Sequence, residues 1–303
     1  MPSPIGDFFS NALRSLARPF MAAQSGITHK LATWGHDVAL FGPLAQLGPG
    51  VSDKLDQASE KVLLPHSPLH VNVPEPKRFA PLLDNQPTEL LRLLGILRAL
   101  HQPPRFFHAS SSEVFGRPET MPQDENTPFR PATPYGCAKA FATQMTVIYR
   151  QSQGLFACNG ILYNHESPRR GENFVTQKIC RAAAAIKQGR QRDLSLGSLT
   201  SLRDWGDARE YVQAMWRMLQ QDQPGDYVLA TGRQHSVEEV VETAFAAVGL
   251  NWREHVKQDP RFMRPEDPSR LVGNPAKAEK ILGWHPSDNL KPLITEMTLA
   301  ALD

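Results

Sequence analysis

The sequence predicts an α/β fold built on a parallel sheet, and three observations support this. Helical and strand patterns alternate from about Leu90 to the C-terminus, which is the order typical of parallel sheets covered by helices. With 41% apolar and 21% charged residues, the composition is that of a globular protein. A length of 303 residues allows one large α/β unit or two closely joined subdomains.

The individual elements are predicted from periodicity and from the positions of proline and glycine. Leucines and an isoleucine at helical spacing predict a helix at 90–101, and the run RFFHAS predicts a short buried strand at 105–110. Pro134 precedes a second long helix at 135–152, since proline suits the first turn of a helix. The remaining patterns predict a strand at 155–163, helices at 174–187, 209–220 and 237–248, and a strand at 226–230.

The first 89 residues give weaker patterns. Apolar residues between Ile5 and Leu16 recur at helical spacing, which predicts either a short helix packed on the protein or an amphipathic targeting or membrane-surface helix. Prolines and glycines without periodicity predict an irregular segment at 26–89. We expect two parts, one at 1–165 and a smaller one at 166–303 that is interleaved with the first.

Charge and cysteine content narrow the classes of function. The net charge of +2 is made of scattered charges, which argues against a protein that binds nucleic acid through a dense basic face. Cys137, Cys158 and Cys180 are far apart, so neither a zinc site nor a disulfide framework is predicted, and we expect a reducing compartment, the cytoplasm. No apolar run approaches the ~20 residues that span a bilayer, so no membrane partner is expected.

Two short segments carry the residues that suit catalysis. Ser110-Ser111-Ser112-Glu113 stands at a predicted strand end, where open α/β sheets bind ligands. Tyr135 and Lys139 begin the next helix at i, i+4 and share one face. An ammonium beside a phenol favours the tyrosinate, which can take a proton from a hydroxyl during hydride transfer. A YxxxK pattern alone is more often a surface pair, but the SSSE segment before it favours an active site, with Ser111 holding the substrate oxygen and Glu113 as a second base.

Five blocks of sequence are similar to those of a known family. They are ASSSEVFG (109–116), TPFRPATPYGCAK (127–139), YNHESPRRGENFVTQKI (163–179), SLRDWGDAREYV (201–212) and NPAKAEKILGWHP (274–286). From about Leu90 onward the chain resembles the GDP-mannose 4,6-dehydratases, extended short-chain dehydrogenases/reductases of the epimerase/dehydratase class. The resemblance implies a Rossmann-like parallel sheet, here incomplete or divergent, with a smaller C-terminal substrate-binding subdomain.

The resemblance also implies a chemical role for each central residue. Family members oxidise C4 of GDP-mannose with NADP, eliminate water across C5 and C6, and return the hydride to C6. Tyr135 matches the base for the C4 hydroxyl, and Lys139 matches the residue that tunes it and holds the nicotinamide ribose. Ser111 stands where the family commonly has threonine, and Glu113 matches the acid–base for C5 and C6.

A binding site for GDP-mannose is implied in the same way. Its residues would be Asn164, Asn173, Val175, Lys178, Arg203, Arg264 and Asp267. Guanidinium groups bind phosphate oxygens bidentately, which suits Arg203 and Arg264 to the diphosphate, although either arginine alone would more commonly be a surface ion-pair partner. Asp267 stands where the family often has glutamate. His165 is expected to hold its loop rather than to act as a base.

One element of the family is missing from the sequence. Family members begin with a strand and a TGxxGxxG turn, whose backbone amides approach the cofactor pyrophosphate, and no glycines here have that spacing. Only AAQS at 22–25 resembles the family's early sequence, at the end of its fourth strand. The cofactor-binding residues that the resemblance implies are therefore Ala23, Ser110, Tyr135 and Lys139.

Three functions are left open by the sequence. The first is an NADP-dependent GDP-mannose 4,6-dehydratase, for which the resemblance implies a homodimer formed through the helices at 90–101 and 135–152. The second is a GDP-4-keto-6-deoxyhexose reductase or epimerase that uses the same tyrosine and lysine. The third is a truncated, catalytically silent homologue that binds sugar nucleotide or pairs with a full-length subunit. Glu113 and the block NHESPRRGE favour the first, and the missing glycine turn favours the third.

Overall fold

The computed structural model of the protein describes the strand Val38–Leu40 and residues 86–263, 271–287 and 289–302. The helical pattern between Ile5 and Leu16, the AAQS segment with Ala23, and most of the segment 26–89 lie outside the described residues. Arg264 and Asp267 lie outside them as well.

The described elements are named here in chain order. The helices are α1 (Gln86–Ala99), α2 (Pro134–Gln153), α3 (Val175–Lys187), α4 (Ala208–Met218), α5 (Val237–Ala247), α6 (Ala276–Leu282) and α7 (Leu290–Ala300). The strands are β1 (Val38–Leu40), β2 (Phe106–Ser111), β3 (Ala157–Leu162), β4 (Asn164–Glu166), β5 (Leu194–Leu196), β6 (Leu202–Arg203), β7 (Trp205–Asp207), β8 (Asp226–Leu229), β9 (His235–Ser236) and β10 (Val256–Gln258).

A central sheet carries the order β1-β2-β3-β8. Strands β2, β3 and β8 are parallel, with Ser111 opposite Leu162 and Leu162 opposite Leu229. This confirms the predicted α/β fold with a parallel sheet. The strand β1 differs, because it runs antiparallel to β2 with Val38 opposite His108.

The two faces of the central sheet are covered by different helices. On one face, the apolar residues of α1 and α2 pack on Phe106, and the buried cluster includes Leu94, Leu97 and Ala142. On the other face, Phe107 packs with the residues of α4 and α6. Side chains alternate along a strand, so Phe106 and Phe107 serve opposite layers.

A separate apolar cluster holds the C-terminal helices together. Helices α3, α5 and α7 bury Ile179, Val240 and Ile294 against one another, and the strand pair β5–β10 lies beside them. The central sheet nevertheless includes β8, which comes after residue 166 in the chain. A division into parts at residues 165 and 166 stays a prediction.

The structure differs from the sequence predictions in several short elements. Helix α1 begins at Gln86, before the predicted start at 90, and both this turn and β1 fall in the segment predicted to be irregular. The two-stranded pairs β4–β7, β6–β9 and β5–β10 were not predicted, because strands of two or three residues are too short to show a periodicity. Among the described residues, the structure contains no helix with the length and apolarity needed to cross a membrane.

Candidate active site

The carboxyl end of β2 turns directly into the first catalytic segment. Ser111 ends the strand and caps a short 3-10 turn, Ser112–Val114, because its Oγ accepts a hydrogen bond from the Glu113 backbone N–H at 3.2 Å. Ser112 and Val114 are buried, whereas Glu113 is only partly buried. Ser112 and Val114 therefore anchor the turn in the protein interior, and the Glu113 carboxylate between them lies at the end of the sheet.

The first turn of α2 is fixed against that segment. Thr133 caps the helix by accepting from the Gly136 N–H at 2.9 Å, and Pro134 occupies the first turn. A side chain at Gly136 would place its Cβ 2.6 Å from the Glu113 carbonyl oxygen, so only glycine permits this approach. Thr133 Oγ1 also donates a long hydrogen bond of 3.5 Å to Glu113 Oε2. The segments that carry Tyr135 and Glu113 thus pack closely against each other.

Lys139 lies one turn into α2, beneath Tyr135. Its side chain is only 3% exposed, and its Nζ donates to the Ala109 carbonyl oxygen at 3.1 Å. The same Nζ lies 5.6 Å from the centroid of the Tyr135 ring. The structure therefore brings Ser111, Glu113, Tyr135 and Lys139 to one end of the sheet.

This arrangement fits the nicotinamide end of a dinucleotide cofactor. A buried ammonium offers N–H donors beside a phenol at the carboxyl ends of parallel strands, where such ligands bind. The Ser110 hydroxyl is buried and bonds Thr143 Oγ1 at 2.6 Å on the face covered by α2. Strand alternation sends Ser110 and Ser111 to opposite faces, so this geometry does not support a cofactor contact by the Ser110 side chain.

Two of the predicted substrate residues lie on short strands, Asn164 on β4 and Arg203 on β6. Asn164 follows β3 directly, opposite Trp205, and its Nδ2 donates to the Asp204 carbonyl oxygen at 3.1 Å. Arg203 ends β6, where its Nη1 donates to the Leu202 carbonyl oxygen at 2.6 Å. Because β3 is in register with β2 up to Ser111, Asn164 lies at the same end of the sheet as the catalytic residues.

The other described substrate residues lie at the start of α3. Asn173 is exposed, and Val175 begins the helix. Lys178 Nζ donates to the Ser195 carbonyl oxygen at 2.8 Å and lies 4.3 Å from the centroid of the Phe262 ring. Among the described residues Lys178 is thus linked to β5 and to the turn Pro260–Phe262, not directly to the Ser111–Lys139 group.

The loop between β4 and α3 has a buried anchor that the sequence analysis did not identify. Glu166 is buried and accepts from Thr176 Oγ1 at 2.5 Å, and Arg170 Nε lies 3.2 Å from the same carboxylate. Burial raises the pKa of Glu166, and the positive charge of Arg170 opposes this rise. The i, i+4 spacing of Glu166 and Arg170 was the one sequence pattern that could have indicated this ion pair. Ion pairs of loop residues are usually exposed, however, so the spacing did not predict a buried one.

Asp204 is a second anchor that the sequence did not reveal. Its buried carboxylate accepts from the backbone N–H groups of Thr231, Gly232 and Gly273 at 2.9, 3.1 and 3.3 Å. Burial raises the pKa of Asp204, and the hydrogen bonds from Thr231 oppose this rise. Because its partners come from distant segments, no local pattern could have predicted them.

The prediction for His165 agrees with its surroundings. Its Nδ1 lies 2.8 Å from the Tyr163 carbonyl oxygen, and its ring stacks on Tyr211 with centroids 5.1 Å apart. These contacts hold the loop after β3, which is the structural role expected from the sequence.

Comparisons with known proteins point to one family. The model of the family "GDP-mannose 4,6 dehydratase" matches residues 70–297. GDP-mannose 4,6 dehydratase 2 of Caenorhabditis elegans is 48% identical over 225 residues, which cover 68% of this chain and 59% of the relative. GDP-mannose 4,6 dehydratase 1 of Arabidopsis thaliana is 49% identical over 214 residues, covering 69% of this chain and 59% of the relative. The chain thus spans about three-fifths of the length of these curated relatives.

Solved structures show the same Rossmann-like fold at lower identity. RMD from Pseudomonas aeruginosa, complexed with NADPH, superposes with a TM-score of 0.68 at 22% identity, over 83% of this chain and 95% of that one. A dTDP-glucose 4,6-dehydratase from Bacillus anthracis in complex with NAD gives a TM-score of 0.64 at 20% identity, over 73% and 68% of the two chains. With the family model matching most of its length, this chain belongs to the GDP-mannose 4,6 dehydratase family.

Proposed function

We propose that the chain catalyses the NADP-dependent dehydration of GDP-mannose to GDP-4-dehydro-6-deoxy-mannose and water. The proposal rests on one observation. Tyr135 and Lys139 lie with Ser111 and Glu113 at the carboxyl end of the central sheet. Membership of the family and the names of the curated relatives support the choice of GDP-mannose as substrate.

A nicotinamide cofactor would be held by Lys139 and Tyr135. When bound, it supplies the hydride acceptor for oxidation at C4 and the hydride donor for reduction at C6. Two structural neighbours are complexes with NADPH and NAD, which supports the cofactor class. The choice of NADP rests on the family resemblance alone.

Tyr135 is the proposed base for the C4 hydroxyl. The buried Lys139 ammonium lies within cation–π distance of the Tyr135 ring, and its charge favours the phenolate that receives the proton. The hydroxyl of Ser111 accepts from the Glu113 N–H through its oxygen, so its own hydrogen can donate to the sugar oxygen. Ser111 would thus bind the C4 hydroxyl oxygen from which Tyr135 takes the proton.

Glu113 is the proposed acid–base for the elimination. Oxidation at C4 makes the C5 proton acidic, so a carboxylate can remove it and then protonate the departing C6 hydroxyl. The 3-10 turn and the bond from Thr133 hold the carboxylate near Tyr135. One residue can serve both steps because the proton that it takes is the proton that it gives.

We propose a GDP-binding surface on the substrate side of the same site. Asn164 lies on β4 and Arg203 on β6, Asn173 precedes α3, and Val175 and Lys178 lie in its first turn. A guanidinium at Arg203 and an ammonium at Lys178 suit the two phosphates. Arg264 and Asp267 complete the proposed set from outside the described residues.

We also propose that the chain forms a homodimer through α1 and α2. The outer face of α2 exposes Phe141 and Ile148, 42% and 48% of whose surfaces are accessible. These residues lie seven positions apart, on one side of the helix. Apolar side chains at this spacing suit the pairing of two helices with their copies in a four-helix bundle. A cytoplasmic location stays a prediction.

A second candidate is supported by one observation. The strand beside β2 is β1, which runs antiparallel, whereas a Rossmann-like sheet pairs parallel strands there. This favours a homologue that binds sugar nucleotide without turning it over. Titration of the whole protein with NADP+, followed by intrinsic fluorescence, separates the two candidates, and product analysis with GDP-mannose follows. Saturable NADP+ binding with dehydration supports the first function. No saturable NADP+ binding refutes the first and supports the second.

A further inference from the structure

A buried polar layer lies between the central sheet and α2, behind the proposed catalytic group. Ser110 Oγ bonds Thr143 Oγ1, and Asn159 Nδ2 donates to the Thr143 carbonyl oxygen at 3.2 Å. Both β2 and β3 therefore present this face to α2. His108 lies two residues before Ser110 on β2, and since side chains alternate along a strand, His108 faces α2 as well.

His108 and Asn159 are neighbours within this layer. They are register partners on the parallel strands β2 and β3, whose backbones lie about 4.8 Å apart in such a sheet. Only 4% of His108 and 0% of Asn159 is exposed. Their side chains thus share one face, away from solvent.

Three polar atoms of this pair have no hydrogen-bond partner among the residues that the structure describes. They are both ring nitrogens of His108 and Oδ1 of Asn159. The orientation of the Asn159 amide is fixed, because its Nδ2 donates to two acceptors, the Thr143 carbonyl and Asp226 Oδ1. Its Oδ1 is therefore an acceptor that needs a donor, and buried polar atoms are almost always paired.

A neutral imidazole meets this need, because it carries one N–H donor and one acceptor nitrogen. Burial, and then the positive charge of Lys139, lower the pKa of His108 to about 3, so the ring is neutral near pH 7. The charge of Lys139 favours the tautomer whose lone pair faces the ammonium. The N–H then lies on the other side of the ring, where Asn159 is the strand neighbour.

On its other side, Asn159 connects to an ion pair near the surface. Its Nδ2 donates to Asp226 Oδ1 at 2.8 Å. Arg150 binds both oxygens of the same carboxylate, at 2.8 and 3.0 Å. Bidentate pairs of this kind hold their geometry well, so the outer end of the layer is rigid.

We propose that His108 is a positioning residue for Lys139, donating to Asn159 Oδ1 and offering its second nitrogen to the Lys139 ammonium, each contact being direct or through one buried water. Hydrogen bonds then extend from Lys139 to the pair of Asp226 and Arg150. The importance of this for catalysis rests on the proposed function, in which Lys139 orients Tyr135.

Nuclear magnetic resonance of the whole protein labelled with 15N-histidine tests the hydrogen bonds without any turnover. We expect one neutral tautomer of His108 from pH 5 to pH 8, with the exposed His101 as the reference for an imidazole in water. Asn159→Leu should move the resonance of the protonated nitrogen, and Lys139→Met should move that of the other nitrogen. Thr146→Val is the matched control, because Thr146 is buried on α2 but bonds only to the Ala142 carbonyl oxygen.

Two outcomes of these spectra overturn the proposal. One is a mixture of both tautomers in the wild type. The other is a His108 spectrum that neither Asn159→Leu nor Lys139→Met changes. If Asn159→Leu fails to fold, Lys139→Met decides the question, because it removes the charge and one hydrogen bond to the Ala109 carbonyl oxygen but leaves the pairing of the strands in place.

Kinetics with NADP+ and GDP-mannose test the positioning role. His108→Phe should lower kcat about tenfold, the effect of one lost hydrogen bond, with KM for GDP-mannose unchanged. His108→Gln should restore most of the activity, because an amide both donates and accepts. Equal activity of the two variants refutes the positioning role. If the wild type shows no turnover, the proposed function fails, whereas the spectra still decide the hydrogen bonds of His108.

Discussion

The catalytic side and the substrate side of the proposed site are built in different ways. On the catalytic side, the turn with Glu113 and the first turn of α2 with Tyr135 are each capped within their own segment, and hydrogen bonds from Thr133 and Lys139 join the two segments across 20 and 30 residues. On the substrate side, Asn164 bonds a carbonyl 40 residues away and Lys178 one 17 residues away. From this difference we expect turnover to depend on the two capped turns, and binding to depend on contacts between distant segments. Changes on the first side should lower kcat, and changes on the second should weaken binding or stability.

The largest effect is expected from Tyr135→Phe. Removing the phenolic oxygen removes the base for the C4 hydroxyl, so kcat should fall about 10³-fold, within the range for general acid–base residues. Binding of GDP-mannose, measured by calorimetry, should be unchanged. A loss of binding in a folded variant would break the comparison, since it would place Tyr135 among the residues that hold the substrate.

Glu113→Gln should have the next largest effect on turnover. The amide cannot take the C5 proton, so product formation should fall about 10²-fold, while oxidation at C4 still proceeds. Reduced cofactor should therefore accumulate in a single turnover, followed by its absorbance. Glu119→Gln is the matched control, because Glu119 is an exposed carboxylate that pairs with Arg130. Normal dehydration by Glu113→Gln would remove the assigned role.

Asp204→Ala tests the long-range assembly of the substrate side. It leaves the N–H groups of Thr231, Gly232 and Gly273 without their buried acceptor, so the free energy of unfolding should fall by about 3 kcal/mol. Asp204→Asn keeps one acceptor oxygen and should lose less. Chemical denaturation measures both, and equal stability of wild type and Asp204→Ala would show that the anchor contributes nothing.

The pH dependence of stability should separate the two sides by its sign. The folded-state pKa of His108 is about 3, below the ordinary 6.5. The unfolded chain therefore binds the proton first, and stability falls by up to about 1.4 kcal/mol per pH unit as pH drops below 6.5. The pKa of Glu166 is raised, so its contribution falls instead as pH rises above 4.5.

Thermal unfolding between pH 3 and pH 8 checks these signs. His108→Gln should lose stability less steeply than the wild type below pH 6.5. Glu166→Gln should lose it less steeply above pH 4.5. The same slope for His108→Gln and wild type would contradict the burial of a neutral imidazole behind the catalytic side.

The smallest effect is expected from Arg203→Ala. Loss of a guanidinium from the diphosphate should raise KM for GDP-mannose about tenfold with kcat unchanged, as for a contact equal in ground and transition states. Arg203→Lys should fall between, because an ammonium keeps the charge but not the bidentate geometry. If kcat falls instead, Arg203 contacts the transition state and belongs to the catalytic side of the site.

The catalytic side was largely predictable from the sequence, for physical reasons that the structure makes plain. Tyr135 and Lys139 share a helix face by their spacing alone, and Pro134 marks where that helix begins. Ser110 is the residue on this side whose surroundings do not favour its predicted contact with the cofactor, although that contact stays a prediction. Adjacent residues of a strand face opposite layers, so Ser111 and Ser110 could not both present their hydroxyls to one ligand.

The substrate side was less predictable, because its order comes from contacts between distant segments. The pairing of β4 with β7 involves three residues on each strand, too few for a periodic signal. Asp204 looks like any loop aspartate until its partners at Thr231 and Gly273 are known. The family resemblance supplied predictions for Asn164, Arg203 and Lys178, but not for Asp204 or for the pairing of β4 with β7.

The strand β8 has a consequence for the order in which the protein assembles. It pairs with β3 along the sheet, and Asp226 is 67 residues beyond Asn159, whose amide it holds. During synthesis, β2, α2 and β3 leave the ribosome before β8. Until β8 follows, one edge of β3 has no partner strand. Pairings this distant in sequence form late, and an open apolar edge favours aggregation. The chain must therefore be synthesised as far as Leu229 before β3 can be paired on both sides, next to the proposed catalytic residues.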